Sequence, residues 1–160
     1  MNLSQRDAAE RAGVPHRYLT IVETSDARIN TNLQLVDFYV AEGIELLGEA
    51  SIGNEITRAG ARWIAPSSPE ISKVLKTEFH FEDARVSFRA ARALLNKRQD
   101  EIAALAGLSR ATVKSLESGK DWEESHRTLL NFYERAGVEF TGWGDPVTDK
   151  YFGVGVRWKA

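Results

Sequence analysis

Apolar residues recur at helical spacing through residues 85–136, and glycines or small polar residues stand where that spacing breaks. Gly107 suits the left-handed conformation that ends many helices, and Ser109 suits the cap that begins the next one. In the helix after Ser109, Val113 and Leu116 share one face, so we expect them to enter a core. The pattern predicts four helices, Arg85–Leu95, Gln99–Ala106, Arg110–Glu117 and Arg127–Ala136, the last capped by Ser125 and ended by Gly137.

β-Forming residues follow the last of these helices. Val138–Thr141 and Phe152–Trp158 are rich in β-branched and aromatic residues, and Gly142–Pro146 between them has the composition of a turn. These segments predict a β-hairpin. A second hairpin is predicted from Ile44–Leu47 and Ala61–Ile64, with Trp63 and Trp158 packed in the two hairpins.

The two hairpins belong to an internal repeat. When the chain is aligned with itself at an offset of 94 positions, Gln5–Leu47 pairs with Gln99–Thr141 without a gap, and ten of the 43 pairs are identical. Random pairing at ordinary composition would give about three identities. With one residue of slip, Gly60–Ala65 matches Gly155–Ala160. The sequence therefore predicts a tandem duplication.

We divide the chain into a first repeat (residues 1–65), a linker (residues 66–84) and a second repeat (residues 85–160). Pro66 and Pro69 break regular structure in the linker, and a short helix is predicted over Glu70–Phe79. In the first repeat, capping boxes and glycines again mark the helix ends. These signals are Ser4 with Asp7, Gly13, Thr31 with Gln34, and Gly43.

Two short helices joined by a tight glycine turn, Gln99–Ala106 and Arg110–Glu117, have the form of a helix-turn-helix, whose second helix can enter the major groove of DNA. The charge pattern favours the same function. The chain carries a net charge of −2, divided into −3 over residues 1–80 and +1 over residues 81–160, whereas residues 85–120 alone carry +5. A basic footprint confined to one segment is typical of a nucleic-acid-binding surface.

The most distinctive run is Gln99-Asp-Glu-Ile-Ala-Ala-Leu-Ala-Gly-Leu-Ser-Arg-Ala-Thr-Val-Lys-Ser-Leu-Glu-Ser-Gly119, preceded by Arg92-Ala-Leu-Leu95. With it, residues 85–137 closely resemble the XRE, or Cro/CI-like, family of helix-turn-helix transcriptional regulators, and residues 4–43 resemble the family weakly. The tail resembles a bacterial subgroup with a C-terminal hairpin. The resemblance implies a mainly α fold of two tandem lambda-repressor-like helix-turn-helix units, each followed by a short β-hairpin.

The resemblance also implies a role for each residue of the helix-turn-helix. The positions that read bases in the family are occupied here by Arg110, Ala111 and Ser115. Arg110 is the strongest reader, because a guanidinium can bond O6 and N7 of guanine together. Arg92 and Glu117 match a structural pair of the family, and Gln99 stands where a family glutamine braces both a phosphate and the recognition helix. Phosphate contacts, which position a protein without specifying sequence, are implied for Gln99, Thr112, Lys114, Lys97, Arg98 and Lys120.

The first repeat departs from the family pattern. It lacks a first helix, Pro15 replaces the capping serine, and Tyr18 and Ile21 occupy reading positions of the helix predicted over His16–Glu23. We therefore expect Glu23 to have no arginine partner of its own and one face of the core to be uncovered, unless another segment replaces the missing helix or Met1 is not the true start. Two interpretations of the repeat stay open: a degenerate copy used for packing or dimerisation, or a second DNA site that contains Gln5, His16 and Arg17.

Other kinds of chemistry have little support in the sequence. The chain has no cysteine and three scattered histidines, which excludes disulfides and thiol catalysis and disfavours a metal cluster. We expect no signal peptide, and the sequence has no apolar run near the ~20 residues that span a bilayer. Neither His80–Asp83 nor Glu123-Glu124 has catalytic or metal-binding spacing. We therefore expect no enzyme activity, cofactor, metal or membrane association; Trp122 and Trp143 are predicted to be partly buried or, alternatively, to form a protein interface.

Two functional hypotheses follow. The first is a bacterial, cytoplasmic, nucleoid-associated transcriptional regulator that reads the major groove of double-stranded DNA chiefly through the second repeat. Such readers usually bind two half-sites about one helical turn apart, which requires a homodimer joined through the hairpins or the first repeat, or a single chain acting as a pseudo-dimer. The second hypothesis is a protein-interaction module, an antitoxin or antiactivator, whose acidic first repeat binds a protein partner.

Overall fold

The computed structural model describes residues 3–18, 29–68, 78–120 and 123–160. The chain divides into two compact units, Met1–Ile44 and Glu45–Ala160. The sequence placed the end of the first repeat at residue 65, so the hairpin assigned to that repeat lies in the second unit. Most of the predicted linker helix Glu70–Phe79 lies outside the described residues, as do Trp122 and the segment 19–28.

The first unit contains helices α1 (Gln5–Arg11) and α2 (Ile29–Ala41). The predicted capping box begins α1: the Ser4 hydroxyl accepts a bond from the Asp7 backbone N–H at 3.2 Å, and the Asp7 carboxylate accepts one from the Ser4 backbone N–H at 3.2 Å. The second predicted box is wrong, because Thr31 lies inside α2. The buried core of this unit contains Ala9, Val14 and Leu35, flanked by Ala12 and Tyr39.

The helices of the second unit are α3 (Phe88–Leu94), α4 (Gln99–Ala106), α5 (Arg110–Glu117) and α6 (Glu123–Arg135). α4 and α5 have the predicted bounds. α3 begins later than predicted, after the cap Ser87, and α6 begins earlier, so Ser125 lies inside α6 and does not cap it. The helices pack around a buried cluster of Phe88, Ala91, Ile102, Ala103, Val113, Leu116, Leu129, Tyr133, Val138 and Val156.

The strands are β1 (Ile44–Glu49), β2 (Thr57–Trp63), β3 (Phe81–Glu82), β4 (Val138–Asp145) and β5 (Lys150–Trp158). β5 is central: β4 pairs along one edge, β2 and β3 share the other edge, and β1 lies outside β2. The turn after β4 lies at residues 146–149, later than predicted. The buried Asp145 carboxylate holds it by accepting bonds from the Val147 N–H at 3.3 Å and the Thr148 hydroxyl at 2.7 Å.

The prediction of a mainly α fold with two tandem units, each followed by its own hairpin, is wrong. In the part of the chain that the structure describes, the strands form one five-stranded antiparallel sheet beside the helices, so the fold is α/β with one confirmed helix-turn-helix. The physical reason is edge pairing. An isolated hairpin leaves two edges unpaired and is marginally stable, whereas here β2 fills the edge of β5 that β4 leaves open. Residue patterns detect each hairpin, but they do not reveal that the hairpins pair.

Candidate nucleic-acid interface

The turn between α4 and α5 is built as the sequence predicted. Gly107 ends α4 with a φ of +68°, in the left-handed region that favours glycine. Ser109 then caps α5, because its hydroxyl accepts a hydrogen bond from the Thr112 backbone N–H at 3.0 Å. The chain therefore reverses within a short turn, and α5 begins at Arg110.

α5 has one buried and one outward face. Val113 and Leu116 are buried in the core, whereas Arg110, Ala111 and Lys114 are exposed and Ser115 is half-buried. Arg110 and Lys114 stand four positions apart, on one side of the helix. Neither side chain forms an ion pair or hydrogen bond with any residue in the described ranges. The two cations are therefore available to an external anion.

The C-terminal end of α5 is fixed by a buried carboxylate. The Glu117 side chain is 2% exposed. It accepts bonds from Arg92 Nε at 2.5 Å and Arg92 Nη2 at 3.2 Å, and from Gln99 Nε2 at 2.7 Å. Arg92 Nη1 also donates to the Lys97 carbonyl at 3.2 Å. These hydrogen bonds to Glu117 raise the pKa of the Arg92 guanidinium. Because Arg92 lies on α3 and Gln99 on α4, the network ties α5 to both helices.

Gln99 takes part in this network. It also occupies the position for which the resemblance implied a phosphate contact. Its amide nitrogen donates to Glu117, so its side chain is oriented by the end of α5. A glutamine held in this way is half-buried at the first position of α4. The structure thus brings together Arg92, Gln99 and Glu117.

The other proposed phosphate contacts lie on the surface around this helix pair. Lys97 Nζ is 3.4 Å from Glu101, and Arg98 lies 3.1 Å from Asp100. The hydrogen bond from the Arg98 backbone N–H lowers the pKa of Glu101. Exposed pairs of this kind are weak, so a phosphate can compete for the cations. The Thr112 hydroxyl lies 2.9 Å from that of Ser109, and Lys120 is exposed after α5.

Tyr133 is a residue of this site that the sequence analysis missed. Its side chain is fully buried against Phe88, with ring centroids 6.0 Å apart, and its hydroxyl has no hydrogen-bond partner among the described residues. Burial, reinforced by the Glu117 charge, raises the pKa of the hydroxyl. No sequence pattern signals that Tyr133 on α6 lies near Glu117 at the end of α5, because the two residues are brought together only by folding.

In the first unit, the residues of the suggested second DNA site are exposed. Gln5 begins α1, and His16 and Arg17 lie in a helical turn at residues 16–18. The Arg17 guanidinium carbon lies 5.2 Å from the centre of the Tyr18 ring, so this cation contacts an aromatic face. The remainder of the helix predicted over His16–Glu23 falls outside the described residues.

The acidic and histidine-containing segments form small surface contacts. His80 stacks on Trp63 with ring centroids 3.7 Å apart, and its Nε2 lies 2.8 Å from Glu82 Oε1. Trp143 packs on Phe152 at 5.3 Å. Within the described ranges, no group of three or more histidine or acidic side chains could hold a metal ion.

Comparison with known families agrees with this geometry. The helix-turn-helix family, of the XRE type, matches residues 88–122, the stretch that contains α3, α4 and α5. A domain of this type indicates DNA binding. No curated protein and no solved structure matched the chain. Among the helices that the structure describes, none is long and apolar enough to cross a membrane.

Proposed function

We propose that the chain is a sequence-specific transcriptional regulator that reads the major groove of DNA with α5. The observation that carries the proposal is the pairing of two features on one helix. Arg110 and Lys114 project from the outward face without partners in the described residues, while the opposite end of the helix is anchored through the buried Glu117. A fixed helix with free cations can hold a guanidinium in register with a base pair.

In this proposal each outward residue has a distinct role. Arg110 reads guanine through a bidentate bond, worth about 1–3 kcal/mol of discrimination. Ala111 and Ser115 complete the base-facing surface. Lys114 and Lys120, together with Lys97, Arg98, Thr112 and Gln99, position the helix on phosphates. The proposal assigns no catalytic residue and no cofactor, and it places the protein on the DNA of a bacterial cytoplasm.

We further infer that the chain arose by tandem duplication and that the second repeat carries the DNA-reading function. One chain then offers one α5 helix in the described residues and reads one half-site. Two chains bound separately to half-sites about one helical turn apart would read an inverted repeat.

The experiment begins by selecting a binding site from random duplex DNA and from the region upstream of the gene. Fluorescence anisotropy then compares the wild type with Arg110→Ala, Arg110→Lys and Lys114→Ala at two salt concentrations. Arg110→Lys keeps the charge but loses the bidentate fork, so it should lose discrimination between the selected site and a scrambled one. Lys114→Ala should weaken binding to both duplexes equally and reduce the salt slope by about 0.9.

Lys159→Ala is the matched control, because it removes one exposed cation outside residues 88–122. It should leave the discrimination unchanged. Failure to enrich any duplex at low salt, with the variants folded, would contradict the proposal.

A second candidate, binding of a protein by the first unit, is favoured by one observation. Leu33 and Val40 are 54% and 50% exposed on α2, and they stand seven residues apart, on one helix face. If DNA binding is absent, a Leu33→Ser/Val40→Ser variant used in pull-down comparisons against the wild type tests this face. Loss of a partner that the wild type retains is the expected result.

A further inference from the structure

β2 and β5 pair through residues that the sequence repeat makes equivalent. Gly60 lies opposite Arg157, Ala61 opposite Val156, and Arg62 opposite Gly155. The repeat aligns Gly60 with Gly155, Ala61 with Val156, and Arg62 with Arg157. The pair Gly60–Arg157 is therefore equivalent to the pair Arg62–Gly155, and Ala61 pairs with its own counterpart, Val156. The pairing has the register of a two-fold axis that passes between Ala61 and Val156.

The steric contacts across this junction obey the same symmetry. A Cβ atom added to Gly60 would lie 2.6 Å from the Cβ of Arg157, and one added to Gly155 would lie 2.5 Å from the Cβ of Arg62. Neither distance is tolerable for carbon atoms. Gly60 and Gly155 are thus both required for the close approach of β2 and β5, because a side chain at either position would clash with the facing strand.

Backbone and charge repeat in the same way. Arg58 and its counterpart Gly153 both have positive φ, 53° and 65°. Arg62 pairs with Glu45 at 2.7 Å, and the equivalent Arg157 pairs with Glu139 at 2.6 Å. The junction is therefore equivalent in register, in sterics and in backbone, and it repeats one ion pair; Glu139 differs from Glu45 in a second partner, Arg58, at 3.0 Å.

We propose that β2 occupies, within one chain, the place that β5 of a second chain would otherwise take, so that the protein is a monomer whose self-association surface is covered by its own first hairpin. An isologous interface between identical chains pairs each residue with its symmetry partner. In such an interface Val156 faces Val156 of the second chain, and Gly155 faces Arg157, as Ala61 and Arg62 face β5 here. Because β2 is covalently attached, its effective concentration exceeds that of a second chain.

The test is the mass of the full chain and does not depend on DNA binding. Gly60→Val blocks β2 and leaves β5 unchanged, so it should release β5 and double the mass seen by sedimentation velocity, from 17.9 kDa for the wild type. Gly155→Val blocks both β2 and β5 self-pairing, so it should stay at the single mass. Tryptophan fluorescence and circular dichroism check that each variant is folded.

A second measurement identifies the surface. The chain has no cysteine, so Val156→Cys introduces a unique thiol at the proposed axis. Under mild oxidation it should link two chains in the Gly60→Val background and leave the wild-type background unlinked. Gly60→Ala is the milder companion variant, because it carries the same clashing Cβ.

Three results would overturn the proposal. The first is a wild-type chain of double mass. The second is a folded Gly60→Val variant that stays monomeric. The third is loss of the fold in both Gly60→Val and Gly60→Ala, since it would mean that no second chain can replace β2.

Discussion

The two repeats use ion pairs differently. In the second repeat, Arg92 and Glu117 form a pair whose carboxylate is 2% exposed, and the pair joins α3 to the end of α5. In the first unit, Arg11 and Glu42 form a single contact at 3.3 Å with side chains that are 54% and 36% exposed. A buried pair specifies one arrangement of helices, whereas an exposed pair is screened by water. α5 is therefore held by a buried pair, whereas the described pair of the first unit is exposed.

The described apolar core of the second unit is also larger than that of the first. Leu129 lies fully buried in the large cluster of the second unit, and its counterpart Leu35 lies with Ala9 and Val14 in the described core of the first. The Pro15 position of the first repeat has no capping hydroxyl, whereas Ser109 caps α5. Sequence similarity between repeats thus coexists with different degrees of local anchoring.

The largest expected effect is on the buried ion pair. Arg92→Ala leaves the Glu117 carboxylate buried with one remaining donor, Gln99, so the free energy of unfolding should fall by about 3–5 kcal/mol. The measurement is urea unfolding followed by tryptophan fluorescence, since Trp63, Trp143 and Trp158 lie in the second unit. The control is Arg11→Ala, which should change the stability of the first unit by less than about 1 kcal/mol in hydrogen exchange. Equal losses of stability in Arg92→Ala and Arg11→Ala would contradict the proposed difference between the buried and the exposed ion pair.

A cavity in the core is the next largest change. Leu129→Ala should lower the free energy of unfolding by about 2–5 kcal/mol, because a fully buried leucine leaves a void that rigid neighbours cannot fill. Leu35→Ala is the matched variant and should cost less, about 2 kcal/mol, because Leu35 is 5% exposed whereas Leu129 is fully buried. Amide hydrogen exchange resolved by peptide compares the two units separately. A larger loss at Leu35 would reverse our ranking of the cores.

Tyr133→Phe sharpens the comparison by removing a single atom. The hydroxyl is buried without a partner in the described residues, so its loss should raise the free energy of unfolding by about 1 kcal/mol. Its counterpart Tyr39 is only partly buried and has a contact of its own, so Tyr39→Phe should be neutral or destabilising. Thermal unfolding of both variants decides the point; destabilisation by Tyr133→Phe would show that the hydroxyl is satisfied.

The smallest effect concerns the sheet and depends on pH. Hydrogen bonding from Arg157, supported by Arg58, lowers the pKa of Glu139 below its ordinary value of 4.5. A lowered pKa in the folded state contributes stability above pH 4.5 that is lost as the pH falls through the folded value. Glu139→Gln should therefore destabilise by less than about 1 kcal/mol at pH 7, and the difference should shrink in acid. Glu45→Gln, which removes a carboxylate with one arginine partner, should do less at pH 7.

Local signals in the sequence predicted much of the helix-turn-helix. Gly107 and Ser109 define the turn, and the three-residue spacing of Val113 and Leu116 defines which face of α5 is buried. These signals act within one or two helical turns, so they can be read along the chain. The start of α6 was predicted less well, because acidic residues at its first turn extended it beyond the expected cap at Ser125.

The sequence by itself determined where the helices α4 and α5 lie and which face of α5 carries cations. Only the tertiary structure decided that the two hairpins share one sheet and that the Tyr133 hydroxyl is buried without a bond among the described residues. The physical reason is the separation along the chain between the residues that interact. Helix caps and apolar spacing are set by neighbours in the chain, whereas strand pairing and buried hydrogen bonds depend on residues that only folding brings together.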